Sequence, residues 1–379
     1  DGVRRITLRL SALRVGARIR QKNLQKIIQE PPPERSRHHA LMIALDGTPD
    51  KRRLGGNALV AVSMALVHAA AAAQHLPLWR HLANRRAASA APICLPLPEV
   101  QIFGGGAHAA RSVDVQDFMV IAVGASDYVQ ALEWTAEVYR HAGLLMAQAG
   151  RRAGVADEGG WWPLFHSNEE ALEFLLRAIE AAGYTPGQDV AISLDIAASD
   201  FGEGGRYRLA REGVEVDSDT LADMLHQWLR RYPIVSIEDP LAQDDADALR
   251  RFTGHAGPKI QVVADDFICT NAQRIRDAAA LGACNTALIK PNQVGTLSET
   301  LAALNAARAA NWHAIVSARS GETEDVTIVH LAVGWAVKQL KVGSFARSER
   351  MAKWNEGLRI GEAIGSFALP PRSAFPWAH

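Results

Sequence analysis

The chain has 379 residues, of which 48% are hydrophobic, and it carries 41 acidic and 41 basic side chains. This length accommodates a barrel of about 250 residues together with a smaller lobe. Balanced charge provides no basic field for a phosphate backbone or an anionic membrane surface, so we expect no nucleic-acid partner and no membrane partner.

The cysteines and the apolar runs indicate in which cellular compartment the protein works. The three cysteines form no CxxC pair, and their odd number argues against a disulfide framework, which favours a reducing, cytoplasmic setting. The longest apolar run, residues 58–73, is rich in alanine and too short to span a bilayer, so it predicts a buried helix. We recognise no signal peptide at the start of the sequence.

The first 90 residues show helix-like patterns, a proline-rich break at residues 31–33 and no alternating strand. They predict a mainly helical lobe over residues 1–90, and alanine-rich residues 81–92 predict a linker. A second domain is expected over residues 93–379.

Within this second region, short β-type apolar runs alternate with amphipathic stretches such as residues 168–182 and 297–310. The strand candidates are residues 118–123, 190–194, 234–237, 260–263, 286–289, 314–316 and 340–342. Repeated strand-then-helix units predict parallel βα units, and their number favours a closed β/α (TIM-like) barrel over an open sheet.

Acidic residues end three successive apolar runs of the predicted barrel: Asp195, Glu238 and Asp265. The carboxyl ends of barrel strands meet at one mouth, and three carboxylates gather there favourably only around a cation. Oxygen ligands without His or Cys indicate magnesium rather than zinc. The alternative is that such residues cap the following helices, which suits Asp239 and Asp266 best.

Basic residues end the later runs, so Lys290, Arg319 and Lys341 predict a cationic half of the same mouth. This suits a small anionic substrate that carries a carboxylate. A lysine beside a divalent ion and a second cation loses proton affinity, so Lys290 is a candidate base with a lowered pKa. The alternative is that these cations only balance the carboxylates.

Two glycine-containing loops supply further candidates, because flexible loops carry acids and bases over barrel mouths. His108 follows Gly104-Gly105-Gly106-Ala107, and Glu158 precedes Gly159-Gly160 and the pair Trp161-Trp162. Each signal is weak by itself, and a solvated loop histidine is the alternative for His108.

At these residues the sequence resembles the enolases, from Asp1 to about Gly365. Both halves of the chain contain specific matching stretches. They are residues 45–51 (LDGTPDK), 56–63 (GNALVAVS), 155–160 (VADEGG), 167–172 (SNEEAL), 232–240 (YPIVSIEDP), 288–295 (LIKPNQVG), 319–325 (RSGETED) and 346–350 (ARSER).

The resemblance implies an enolase-type β/α barrel that converts 2-phosphoglycerate to phosphoenolpyruvate, with a truncated N-terminal lobe. It implies that Asp195, Glu238 and Asp265 bind Mg²⁺, that Lys290 removes the proton beside the carboxylate, and that Glu158 helps to expel the β-hydroxyl. The implied substrate-binding residues are His108, Gln116, Asp117, Arg319, Ser320 and Lys341. A homodimer is implied as well.

Several positions depart from the enolase pattern. Ala318 stands where a His is usual, Asp117 where a Glu is usual, and Gly104 and Ala107 where an Asn and a Glu are usual. The initial meander and the serine loop that binds a second metal would precede Asp1. Trp161 and Trp162 are expected to fill space over the mouth.

These departures leave four interpretations open. They are an enolase, a related lyase acting on a phosphonate or hydroxy acid, a non-catalytic homologue used for binding, and a truncated product. The complete set of metal ligands, base and acid favours the first two.

Overall fold

The computed structural model describes residues 35–86 and 92–378 of the chain. Predictions that fall on residues 1–34 and 87–91, including the proline-rich break and part of the linker, lie outside the described residues. The domain division near residues 90–93 stays a prediction. No helix in the described ranges is long and apolar enough to cross a membrane.

The described strands form one large sheet and one small one. In chain order they are β1 Leu97–Gly104, β2 Asp117–Ile121, β3 Arg152–Val155, β4 Trp161–Pro163, β5 Ala191–Asp195, β6 Gly202–Glu203, β7 Arg206–Leu209, β8 Val214–Asp217, β9 Ile234–Glu238, β10 Gln261–Ala264, β11 Thr286–Ile289, β12 His313–Ser317 and β13 Gln339–Gly343. Strands β1, β2, β5 and β9 to β13 close into a barrel, because β13 pairs with β1. The predicted barrel is confirmed, and each strand candidate overlaps one of its strands.

One strand of the barrel runs against the expectation of uniformly parallel units. Strand β2 pairs antiparallel with both β1 and β5. A parallel connection needs a long crossover, usually a helix, but β1 and β2 are joined by a glycine-rich loop with only a short 3-10 turn. The first residue of β2, Asp117, therefore lies opposite Asp195, the last residue of β5.

The described helices cover the outside of the barrel and form the lobe before it. They are α1 Arg35–Asp46, α2 Gly56–Ala72, α3 Leu78–Ala83, α4 Tyr128–Gln148, α5 Asn168–Ala181, α6 Ser218–Arg231, α7 Ala246–Ala256, α8 Ala272–Leu281, α9 Pro291–Val294, α10 Leu297–Ala309, α11 Thr327–Gly334 and α12 Ser348–Ile364. The two helices predicted by periodicity, α5 and α10, are confirmed. Each begins at a side-chain cap, since Ser167 accepts from Glu170 N and Thr296 from Glu299 N.

Helix α2 packs one face against the barrel and leaves the other exposed. Its buried residues include Leu59, Ser63 and Val67, which are four apart and so share one side of the helix. The predicted helix is confirmed, but it is buried on one side only, because small alanines allow the opposite side to face solvent. The lobe is joined to the barrel by an ion pair between Lys51 and Glu299, at 2.9 Å.

Two insertions extend from the barrel wall. Strands β6 to β8 form a small antiparallel meander after β5. Strands β3 and β4 form a hairpin that joins the barrel where Trp161 pairs with Phe103 of β1. The Trp161 ring stacks on Tyr139 of α4 at 4.7 Å, and its Nε1 donates to the Tyr139 carbonyl. Trp161 therefore anchors the hairpin to a helix, contrary to the expectation that it covers the mouth.

A close approach between α12 and α4 predicts a stability effect. A Cβ added at Gly357 would lie 2.3 Å from the hydroxyl oxygen of Tyr128, which is fully buried and cannot move away. We expect Gly357→Ala to lower the free energy of unfolding by about 1–3 kcal/mol through overpacking, although alanine is the better helix former. Urea unfolding measures this difference.

Gly254→Ala is the matched control for this substitution. Gly254 also lies inside a helix, but it is exposed, and no atom of the described residues stands within 4 Å of its added Cβ. We expect this variant to gain up to about 1 kcal/mol from helix propensity. Equal stability of the two variants would contradict the packing argument.

Candidate active site

Two carboxylates and one ammonium meet at the carboxyl ends of the strands. Asp195 ends β5 and Glu238 ends β9, while Lys341 lies inside β13. The Lys341 Nζ donates to Asp195 Oδ2 and to Glu238 Oε2, each at 2.8 Å. All three side chains are buried. The barrel thus brings three of the predicted site residues into direct contact.

A second ion pair lies next to the first. Asp265 follows β10 and Lys290 follows β11, and the Lys290 Nζ donates to Asp265 Oδ2 at 2.5 Å. The other oxygen of Asp265 accepts from Gln293 Nε2 at 2.7 Å. Both charged side chains are largely buried. The predicted base and one predicted metal ligand are therefore neighbours.

The carboxylates determine the protonation of both lysines. Burial lowers the pKa of Lys290, but Asp265 and Glu238 outweigh burial and raise it above its ordinary value. The pKa of Lys341 is also raised, because Asp195 and Glu238 outweigh burial. The predicted lowering of the Lys290 pKa is not observed in this geometry, since the nearest charged neighbours of Lys290 are carboxylates.

His108, Asp117 and Glu158 form a second cluster at the mouth. The His108 Nδ1 donates to Asp117 Oδ1 at 3.2 Å, and its Nε2 lies 2.8 Å from Ser320 Oγ and 3.9 Å from Glu158 Oε1. His108, Asp117 and Glu158 are buried, and Ser320 is exposed. The alternative of a solvated loop histidine is wrong, because the 3-10 turn at Gly106–Ala109 directs His108 inward.

The His108–Asp117 pair is a stable ion pair near neutral pH. Burial lowers the pKa of His108, but Asp117 outweighs it and raises the pKa to about 9. Burial raises the pKa of Asp117, yet His108 and Lys341 reduce it to about 2. The imidazolium therefore provides a third positive charge at the mouth, beside those of Lys290 and Lys341.

Glu158 occupies the turn of the β3–β4 hairpin. Burial, followed by the charge of Asp117, raises the pKa of Glu158 above its ordinary value. The backbone around it is held by neighbouring elements: Ser344 N donates to the Glu158 carbonyl at 2.9 Å, and Tyr139 Oη donates to the Gly159 carbonyl at 3.1 Å. A carboxyl that keeps its proton to higher pH, on a fixed turn, suits a proton donor.

The remaining predicted substrate residues lie around the same mouth. Gln116 Nε2 donates to Asp195 Oδ2 at 3.0 Å. Arg319 is half-buried in the loop after β12, and its backbone amide donates to Glu322 Oε1 at 3.0 Å. Buried Ala318 lies just before it. The structure therefore gathers the predicted residues at one end of the barrel.

Sequence reasoning missed the residue that holds the Arg319–Ser320 loop. Arg350 on α12 is completely buried, and its guanidinium donates to the carbonyls of Arg319, Ser320 and Val342 at 2.7, 2.6 and 3.0 Å. These bonds tie the loop to the strand that carries Lys341. The sequence did contain a signal for this residue, because Arg350 is the last residue of the enolase-like stretch 346–350.

The donor set of the mouth fits a hard divalent cation. Asp195, Glu238 and Asp265 offer only oxygen, and Glu238 Oε1 is buried without a hydrogen-bond partner among the described residues. The pKa of Glu238 lies well above its ordinary value because of burial and the nearby Asp195. An additional positive charge would give Glu238 Oε1 a partner and would lower the pKa of Glu238.

The predicted triad is not the tightest acidic group at this end. Carboxylate oxygens of Asp239, Asp265 and Asp266 lie within 4.8 Å of one another. Asp239 accepts the backbone amides of Asp265 and Asp266 at 2.9 Å each, so it organises the loop after β10. The predicted capping role of Asp239 is thus directed at a loop instead of a helix. Lys341 and Lys290 occupy the space between the predicted ligands.

Comparisons with known proteins agree with this geometry. A family model described as "Enolase, C-terminal TIM barrel domain" matches residues 92–370, and one described as "Enolase, N-terminal domain" matches residues 10–82. The chain is similar to Enolase 1 of Desulfitobacterium hafniense (strain Y51), with 47% identity over 333 residues, covering 87% of this chain and 75% of that relative. The similarity therefore extends well beyond a shared barrel architecture.

Proposed function

The chain belongs to the enolase family and is a carbon–oxygen lyase, and from this premise we propose that it dehydrates 2-phosphoglycerate to phosphoenolpyruvate with magnesium as cofactor. One observation carries the proposal. The ends of β5, β9, β10 and β11 and the interior of β13 bring Asp195, Glu238, Asp265, Lys290 and Lys341 together at one buried mouth. Three carboxylates and two ammonium groups are thus within reach of one small anion.

We propose that Asp195, Glu238 and Asp265 hold the cofactor. Mg²⁺ bound there would stabilise the doubled negative charge that develops on the substrate carboxylate as the neighbouring proton leaves. The oxygen-only donor set and the buried Glu238 Oε1 support this assignment.

Lys290 is the base in this proposal. Its ammonium donates to Asp265 at 2.5 Å, and Lys290 would lose this partner where Asp265 instead holds the cofactor. Loss of that contact removes the main cause that raises the pKa of Lys290. Once it has given its own proton to solvent, the neutral amine of Lys290 accepts the proton beside the substrate carboxylate.

Glu158 is the proton donor to the departing hydroxyl. It is buried next to His108, and burial followed by the charge of Asp117 raises its pKa above the ordinary value. The cationic His108 and Lys341, together with Arg319, Ser320, Gln116 and Asp117, bind and orient the substrate anion. Fixed charges in a buried site interact more strongly with such an anion than they would in water.

A direct assay tests the function. The protein is mixed with Mg²⁺ and 2-phosphoglycerate, and the enol absorbance of the product is followed. We expect turnover that needs the metal, and we expect Glu238→Gln to abolish saturable Mg²⁺ binding in calorimetry, because it removes a ligand charge. Glu362→Gln, at an exposed position of α12, is the control and should bind Mg²⁺ normally.

The outcomes separate the interpretations. Saturable Mg²⁺ binding without turnover would indicate a related phosphonate or hydroxy acid, since Ala318 and Asp117 depart from the enolase pattern at the mouth. Failure of the wild-type chain to bind Mg²⁺ would overturn the enzymatic proposal and leave a binding role.

We further propose a homodimer that works in the cytoplasm. The family resemblance supports the assembly, and three cysteines without disulfide bonds support a reducing location. A monomeric mass in light scattering at micromolar concentration would contradict the dimer.

A further inference from the structure

Gln101 is a buried polar residue of β1 for which the resemblance assigns no role. Its side chain is 1% exposed. A primary amide has a donor end and an acceptor end, and both must find partners when water is excluded. The hydrogen-bond partners of Gln101 therefore show which parts of the site its side chain holds in place.

The two ends of the amide bind two different parts of the site. Gln101 Oε1 accepts the backbone amide of Gly160 at 2.8 Å, in the turn that carries Glu158. Gln101 Nε2 donates to Asp117 Oδ1, the same oxygen that accepts from His108. The orientation of the amide is unambiguous, because a backbone N–H only donates and an ionised carboxylate only accepts.

Two glycines leave the space that this amide occupies. A Cβ at Gly160 would lie 2.5 Å from Gln101 Oε1, and a Cβ at Gly104 would lie 3.3 Å from Gln101 Nε2. Gly104 is a position where the enolase pattern has Asn, and Asp117 is one methylene shorter than the usual Glu. A side chain at position 104 would begin next to the Gln101 amide, and that amide donates to the shorter carboxylate.

We propose that Gln101 is a positioning residue that couples the His108–Asp117 pair to the turn of the proton donor Glu158. The inference rests on the proposed function, because it concerns the step in which the hydroxyl leaves. One side chain holds both groups, so the 3.9 Å separation of His108 Nε2 and Glu158 Oε1 depends on it. Gln101 itself does not need to touch the substrate.

The proposal predicts a selective loss. Lys290 is on the other side of the mouth, in contact with Asp265, so removal of the substrate proton is independent of Gln101. We expect Gln101→Met, which keeps the length of the side chain but neither hydrogen bond, to lower turnover about 10- to 100-fold, as for a lost hydrogen bond to a charged group. Exchange of the substrate proton with deuterated water, followed by NMR, should remain close to wild type.

Gln101→Glu separates the two contacts. At a pH where the new carboxyl is ionised, it retains an oxygen for Gly160 N but has no donor for Asp117, which then faces a second carboxylate. We expect its turnover to fall at least as far as that of Gln101→Met, again with exchange retained. Turnover near wild type in Gln101→Glu would overturn the coupling to Asp117.

Gln261→Met is the matched control. Gln261 is an equally buried glutamine of the barrel interior, and its Nε2 donates to Gln339 Oε1 at 3.1 Å instead of to a mouth residue. A general loss of stability would lower proton exchange and turnover in the same proportion. If Gln261→Met changes either rate, we expect it to change both in this way. A Gln101→Met enzyme whose exchange and turnover fall in the same proportion would overturn the positioning role.

Failure of the inference differs from failure of the proposed function. If the wild-type chain neither exchanges the proton nor turns over 2-phosphoglycerate, the proposed function fails. If the wild type does both and Gln101→Met does both equally well, only the role of Gln101 fails. Mg²⁺ binding by each variant, measured in calorimetry, verifies that the mouth is folded.

Discussion

Lys290→Ala is expected to abolish removal of the substrate proton and to lower kcat by a factor of about 10³ or more, near the upper range for general acid–base catalysis. Lys290 pairs with Asp265 at the mouth, and no backbone group takes over the chemistry of its amine. The measurement has two parts: absorbance of the enol product, and deuterium exchange of the substrate proton. Both should fall together, because exchange requires the base.

Lys290→Arg distinguishes a base from a counter-ion. Arginine preserves a positive charge for Asp265, but it is not deprotonated in proteins, so it cannot accept the substrate proton. We expect Lys290→Arg to be nearly as inactive as Lys290→Ala. Substantial activity in the arginine variant would support the alternative that these cations only balance the carboxylates. Lys259→Ala, at an exposed lysine before β10, is the control and should retain activity.

Glu158→Gln is expected to lower turnover by a factor of about 10²–10⁴ while the substrate proton still exchanges with solvent. Glutamine keeps the size of the side chain and a polar end, but it has no acidic proton to give to the leaving hydroxyl. The Lys290–Asp265 pair does not involve Glu158, so the base remains in place. Product formation and NMR exchange, measured on the same sample, separate the two steps.

Asp157→Asn provides the matched control for Glu158. Asp157 is the adjacent residue of the same turn and is exposed, so the substitution makes the same chemical change away from the mouth. We expect turnover close to wild type. If Glu158→Gln loses exchange and turnover equally, Glu158 acts before the hydroxyl leaves, and its assignment as proton donor is wrong.

Much of the barrel follows from local sequence. Runs such as residues 286–289 coincide with a strand because a strand buried on both faces is an unbroken apolar run. Residues 168–182 nearly coincide with α5 because a serine cap and an apolar stripe both mark it. Strand β1 was not predicted, since Glu99 and Gln101 interrupt its apolar pattern. These two polar side chains are buried in the barrel interior, where hydrogen bonds to residues distant in the chain offset the cost of their burial.

The site is divided in the same way. Asp195, Glu238, Asp265 and Lys290 were recognisable because each ends an apolar run, and barrel topology brings such ends together. His108 and Glu158 were only weak candidates in glycine-containing loops until the resemblance gave them roles, and Gln116 came from the resemblance alone, since loop residues carry no periodic signal. The antiparallel direction of β2 then explains how Asp117, the first residue of a strand, reaches the mouth.

The sequence by itself determined the barrel and predicted the candidate oxygen ligands and the lysine beside them, because hydrophobic periodicity and strand ends are local properties. Only the tertiary structure decided which charges meet. In the structure, Lys341 donates to Asp195 and Glu238, and His108 pairs with Asp117. The Gln101 amide bonds to both Asp117 and the backbone amide of Gly160. These choices depend on distances between strands far apart in the chain, where burial makes every polar group find a partner.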